Sequence, residues 1–252
     1  MSITHGNVQT YLGMNFEVKN GMVYMEMEDY LKDCIQDFPE EVNMAAKTPS
    51  TKTLMKISED TRPLDYQRKE IFHSIVQKLL HVSKRARLDL QVTVGFLCTR
   101  VNSPHEEDWK KLKRLLQYIF GTLNLPRVMT LTSFKRIDIY IDASHACHHN
   151  MRGQTGGCIS MGRGLLHARS SKQTINSKSS TKTELIGGSV YLPYALWHIY
   201  FYKSQGYEIE CKFLLQDNES TIKLLKNGKK SSGKQTRHID IRYFWISDRL
   251  NR

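Results

Sequence analysis

The chain has 252 residues, 40% of them hydrophobic, and its 37 Lys and Arg outweigh 25 Asp and Glu to give a net charge of +12. That length and apolar content suit one large domain or two small ones with a real core, and exclude a chain that is disordered throughout. The positive excess fits a polyanionic partner such as nucleic acid and a merely basic soluble protein about equally well.

"YLGMNFEVKNGMVYMEM" predicts a β-hairpin, because its strands alternate and Asn20-Gly21 is a strong two-residue turn signal. "EDYLKDCIQDF" predicts a helix with Tyr30, Leu31, Cys34, Ile35 and Phe38 on one apolar stripe. Periodicity fades between about Glu40 and Tyr66, where Pro39, Pro49 and Pro63 mark a connecting segment. Three helical stretches follow: "KEIFHSIVQKLLHVSKRA", "DLQVTVGFLCTRV" and "PHEEDWKKLKRLLQYIFGTL". The last has a proline and acids at its start, and Trp109, Leu112, Leu115, Leu116 and Ile119 recur at helical spacing.

The pattern changes near Pro126, and a domain boundary is expected within residues 126–134, separating 1–126 from 134–252. In "RIDIYIDASHACHHN", Ile137, Ile139 and Ile141 alternate with Asp138, Tyr140 and Asp142, the signature of a strand with one apolar face ending on Asp142. "TGGCISMG" and "GLLHARSSKQ" continue an antiparallel meander. "SSTKTELIGGSVYLPYALWHIYFYKSQG" opens a helix with Glu184 in its first turn and a kink or break expected at Pro193. "CKFLLQDNES" is a short strand ending on Asp217, followed by the helix "STIKLLKNG". The order strand, strand, strand, helix, strand, helix predicts an α/β (α+β) domain with a mixed sheet and flanking helices.

The five cysteines, Cys34, Cys98, Cys147, Cys158 and Cys211, are odd in number and lack a C-x-x-C pair. This argues against a disulfide framework or structural zinc and fits a reducing compartment. "MSITHGNVQTYLG" has no apolar signal core, and no run approaches membrane-spanning length. The expectation is a soluble intracellular protein, cytoplasmic or nuclear, that is neither secreted nor membrane-bound.

Taken singly, each acid has an ordinary structural role open to it. Asp142 reads as a turn residue, Glu184 as the capping-box partner of Thr181, and Asp217 or Asn218 as an N-cap. Taken together, two acids at strand ends and one at a helix start can converge at one sheet edge. Clustered carboxylates repel unless metal ions neutralise them, and hard oxygen ligands suit Mg²⁺ or Mn²⁺. "HACHHN" lacks the paired spacing of a zinc site. "KNGKKSSGKQTR" is a basic loop that reads either as a solvated loop or as one that tracks phosphates. Asp240 reads as a solvated or capping residue, with a further acid at the same cluster as the alternative.

"DIYIDASHACHHNMRGQTGG", "SSKQTINSKSSTKTELIGG", "FLLQDNESTIKLLKNG" and "TRHIDIRYFWISDRL" resemble the ribonuclease H domain of copia-type retrotransposon polyproteins. "HGNVQTYLGMNFEV" resembles the last palm hairpin of the reverse transcriptase, and "TPSTKTL" with "KLLHVSKRARLDLQVTVGFLCTRVNSPHEEDWKKLKRLLQYIFGT" its thumb and connection. The resemblance implies a ribonuclease-H-like fold. It implies that Asp142, Glu184 and Asp217 are catalytic and hold two Mg²⁺ (or Mn²⁺) ions for hydrolysis of the RNA strand in RNA–DNA hybrids. It further implies that Ser179 and Ser180 cap the helix and touch the hybrid, and that the remainder of the Pol polyprotein is a partner. Lys229, Lys230, Lys234 and Arg237 are the expected phosphate contacts.

Two features depart from the family pattern. The polymerase's Tyr-x-Asp-Asp pair would precede Met1, and a fourth metal-binding aspartate, in an Ala-Asp pair, would follow Arg252. The expectation is a fragment cut at both ends, without polymerase chemistry and with little or no hybrid cleavage unless the fourth acid is supplied. The rival expectations are an inactive relic that at most binds nucleic acid non-specifically, and a truncated reading frame that is never a stable protein.

Overall fold

A computed structural model describes residues 5–58, 61–227 and Ile246. The basic loop with Lys229, Lys230, Lys234 and Arg237 lies outside the described residues, as does Asp240. The fold mixes helices and sheets, and the chain divides into two compact units, Met1–Thr130 and Leu131–Arg252.

In the first unit, strands β1 (Val8–Tyr11), β2 (Met14–Lys19) and β3 (Met22–Glu26) form an antiparallel meander. Strand β4 (Arg127–Leu131) pairs antiparallel with β3. The predicted Asn20-Gly21 turn has both residues at positive φ, 52° and 72°. Leu12-Gly13 makes a second such turn, with φ of 52° and 75°. A leucine in the left-handed region is uncommon, so this turn had no residue-type signal beyond its glycine.

Among the described residues, four α-helices complete this unit: α1 (Glu28–Gln36), α2 (Tyr66–Ser83), α3 (Gln91–Cys98) and α4 (Glu106–Phe120). Helix α2 starts earlier than the periodicity indicates, because the Asp65 side chain accepts a 2.9 Å hydrogen bond from the Arg68 N–H and caps it. The predicted stripe of α4 is wholly buried, and with Leu31, Cys34, Phe72, Ile75 and Leu79 it forms the core.

The second unit is built around a four-stranded sheet of order β8-β6-β5-β9. Its strands are β5 (Arg136–Ser144), β6 (Gln154–Ser160), β8 (His167–Lys172) and β9 (Cys211–Leu215); the two-residue strand β7 (Gly162–Arg163), which lies between β6 and β8 in the chain, is not part of this sheet. The first three pair antiparallel, while β9 runs parallel to β5. A parallel neighbour requires a crossover, supplied here by helix α5 (Ser180–Ser204). Ile137, Ile139 and Ile141 are buried with Tyr191, Leu192 and Ala195 of α5, which fixes the helix on the isoleucine face. Gly157 makes this packing possible: a Cβ there would lie 2.4 Å from the Tyr191 ring.

Two expectations need correction. Pro193 does not break α5, which runs as one helix. It sits on the exposed side, and the buried Tyr191, Leu192 and Ala195 around it hold the helix to the sheet. Nor does β5 stop at Asp142: it continues to Ser144, because pairing with β6 extends through Ser144 and Gln154.

Candidate metal centre

The parallel pairing of β5 and β9 begins to build the site. Arg136 faces Cys211 and Tyr140 faces Leu215, a constant offset of 75 residues (211 − 136). Continued two residues past the last pair, that offset sets Asp217 beside Asp142. Strand alternation turns the isoleucines towards α5 and leaves Asp142 exposed.

Glu184 reaches the same place from α5. The Ser179 hydroxyl caps this helix, accepting a hydrogen bond from the Lys182 N–H, so Glu184 lies in the second turn rather than the first. It is therefore not the capping-box partner of Thr181. Its carboxylate is buried, 6% exposed, and both oxygens are occupied. Oε1 accepts from the Ala143 N–H at 3.2 Å and Oε2 from the Gln216 amide at 3.0 Å. Burial pushes the Glu184 carboxyl above its ordinary range. The Gln216 and Ala143 donors pull it back down, and the charges of Asp142 and Asp217 push it up further.

Asp217 is spared a capping duty. The Asn218 side chain performs it for helix α6 (Glu219–Asn227), accepting from the Thr221 N–H at 2.9 Å and the Thr221 hydroxyl at 3.1 Å.

Asp142, Glu184 and Asp217 thus converge, each offering a carboxylate oxygen within 4.8 Å of the others. Among the described residues, no Lys, Arg or His forms an ion pair with Asp142 or Asp217. Three hard oxygen donors without a protein cation are a donor set that could hold a divalent metal ion.

The neighbouring polar residues have other work. His145 Nδ1 lies 2.9 Å from the Thr183 hydroxyl and 3.1 Å from that of Ser177, and the two hydroxyls are themselves hydrogen-bonded. His148 Nε2 meets Gln154 Oε1 at 2.7 Å. Ser180 is exposed at the start of α5. Gln216 escaped the sequence reading. The signal was the parity of β9: counting inward from Leu214, alternate positions turn to the helix-covered face, and Gln216 is the next.

A mixed α/β unit with a carboxylate centre at the edge of its sheet is the class of protein defined here. Comparison with known proteins narrows it, although no protein-family model matches the chain. A retrovirus-related Pol polyprotein from transposon TNT 1-94 of Nicotiana tabacum is 25% identical over 98% of this chain, which spans 19% of that polyprotein. A mitochondrial protein of Arabidopsis thaliana is 25% identical over 71% of this chain and 73% of its own length. A transposon Ty5-1 protein of Saccharomyces cerevisiae is 26% identical over 73% of this chain and 60% of its own length. The chain is a relative of the copia-type retrotransposon polyproteins. No helix among the described residues is long and apolar enough to cross a membrane.

Proposed function

We propose that the second unit is the ribonuclease-H-like part of a retrotransposon Pol polyprotein, and the first its reverse-transcriptase palm hairpin and thumb or connection. The ancestral reaction in this reading is hydrolysis of the RNA strand of an RNA–DNA hybrid, in the cytoplasm or nucleus, with Mg²⁺ or Mn²⁺. One observation carries it: three carboxylates meet within 4.8 Å in a chain related to Pol polyproteins. When bound, two divalent ions in such a site activate water and stabilise the departing oxygen at phosphorus.

The chain's own residues have separable tasks. Asp142 and Asp217 present exposed oxygens at the sheet edge, while Glu184 is held from behind by two donors. In this reading Ser180, which is exposed beside the Ser179 cap, would donate to a phosphate oxygen. Lys229, Lys230, Lys234 and Arg237 would add the electrostatic grip that the net charge of +12 suggests.

The test is cleavage of a hybrid labelled on its RNA strand, with Mg²⁺ or Mn²⁺, by the chain extended with a following strand that supplies the fourth acid, and by Asp142→Asn and Glu184→Gln in that extended form. Cleavage lost in both variants supports the reading; cleavage indifferent to both refutes it. Salt-sensitive hybrid binding by all three proteins, with no cleavage by any, would favour a relic that only binds nucleic acid.

A further inference from the structure

We propose that Gln216 is a positioning residue for the metal centre, fixing the Glu184 carboxylate and tying it to the turn that carries Asp217. The inference rests on the metal-centre reading and adds to it a residue that offers no charge and no metal ligand of its own kind.

Gln216 is the single residue between the end of β9 at Leu215 and the third acid. Leu215 is exposed and the side chains flanking the helix-covered cavity include Leu214 and Gln216, so Gln216 points away from the face that bears Asp142. From there its amide makes two bonds in opposite directions. Nε2 donates to Glu184 Oε2 at 3.0 Å, and Oε1 accepts from the Asn218 N–H at 3.1 Å. The second bond also settles the orientation of the amide, because an N–H donor at Asn218 requires oxygen on that side and leaves nitrogen for Glu184.

The consequence is geometric. Glu184 is approached by the Ala143 N–H at one oxygen and by Gln216 at the other, which fixes the carboxylate plane. Each oxygen keeps a further lone pair for a cation. Without Gln216, Oε2 would have no donor among the described residues, and the carboxylate could rotate about its remaining bond away from Asp142 and Asp217. Groups that orient a ligating carboxylate typically change metal affinity by about 10–100-fold when removed.

The rival role is a splint. Gln216 could matter only by bracing the turn from β9 into α6, through Asn218. A double-mutant cycle on the full chain separates the two, with Mn²⁺ alone as the probe, its affinity read by electron paramagnetic resonance at one neutral pH. Gln216→Met keeps length and removes both bonds. It is expected to weaken Mn²⁺ binding about tenfold in the wild-type background. It should do almost nothing further in a Glu184→Gln background, where the oriented carboxylate is already gone.

Equal weakening in both backgrounds would identify a splint and overturn the inference. A wild-type affinity for Gln216→Met, alongside a loss for Glu184→Gln, would overturn the inference alone. No effect of Glu184→Gln on Mn²⁺ would overturn the metal-centre reading and the inference with it. Gln216→Asn keeps the amide but is one methylene too short to span both partners. It should show a milder form of the same coupled loss, and it serves as the variant if Gln216→Met does not fold.

Discussion

Replacing Asp142 by Asn should stabilise the metal-free protein. Charges 4.8 Å apart repel by about 1 kcal/mol in water-like surroundings and by about 3–4 kcal/mol at an effective dielectric constant of 20. Asp142 is exposed, so the lower figure applies to its repulsion with Asp217 and with Glu184. Among the described residues its side chain makes no hydrogen bond or ion pair that Asn would forfeit. Relief of two repulsions predicts a gain of about 1–2 kcal/mol, and for chains of this size about 2–4 °C in melting temperature per kcal/mol. The assay is thermal unfolding in a chelating buffer at low ionic strength, repeated with added salt and then with Mg²⁺. The gain should shrink with salt as the charges are screened. With Mg²⁺ the order should reverse, since wild type gains from binding and the variant much less. A lower melting temperature for Asp142→Asn in chelator, or equal Mg²⁺ responses, would refute the reasoning.

Two further outcomes are expected. Gly157→Ala should destabilise by about 1–3 kcal/mol in urea titration, because overpacking displaces the buried Tyr191 ring. Gly188→Ala, whose nearest contact is Ile246 at 3.4 Å, should instead gain up to about 1 kcal/mol of helix propensity. Glu184 supplies a pH signature. Its folded carboxyl titrates above the ordinary 4.5, so the folded state holds the proton more tightly than the unfolded one. Metal-free stability should therefore fall as pH rises from about 4.5 through the raised value, then level off. Glu184→Gln should lack that slope, and Mn²⁺ affinity in wild type should be lost at a higher pH than an unburied carboxylate would allow.

The parts of the fold legible in sequence were those where one local rule acts alone. The α4 stripe of Trp109, Leu112, Leu115, Leu116 and Ile119 is buried as its spacing predicts, and Asn20-Gly21 turns the β2–β3 hairpin. The errors arose where tertiary partners override the local signal. Strand β5 passes Asp142 because β6 keeps pairing with it, and α5 passes Pro193 because Tyr191, Leu192 and Ala195 anchor it on both sides. Gln216 was missed because a neutral amide in a strand end carries no compositional signal; its role depends on an alternation that becomes visible only once β9 is laid against β5.

The three acids were legible as types and positions, but each had an ordinary explanation, and the structure assigns those duties elsewhere. Asp142 stands within a strand, not a turn. The cap of α5 is Ser179, with Glu184 a turn further on, and the cap of α6 is Asn218, which leaves Asp217 unused. A buried glutamate so placed costs desolvation that an apolar side chain against the same sheet would avoid, and two nearby carboxylates raise that cost. Folding alone therefore gives no reason for Glu184 to be acidic. In the proposed reading a divalent cation supplies one, since it would convert mutual repulsion into shared coordination, and the donors from Ala143 and Gln216 would hold Glu184 in place for it.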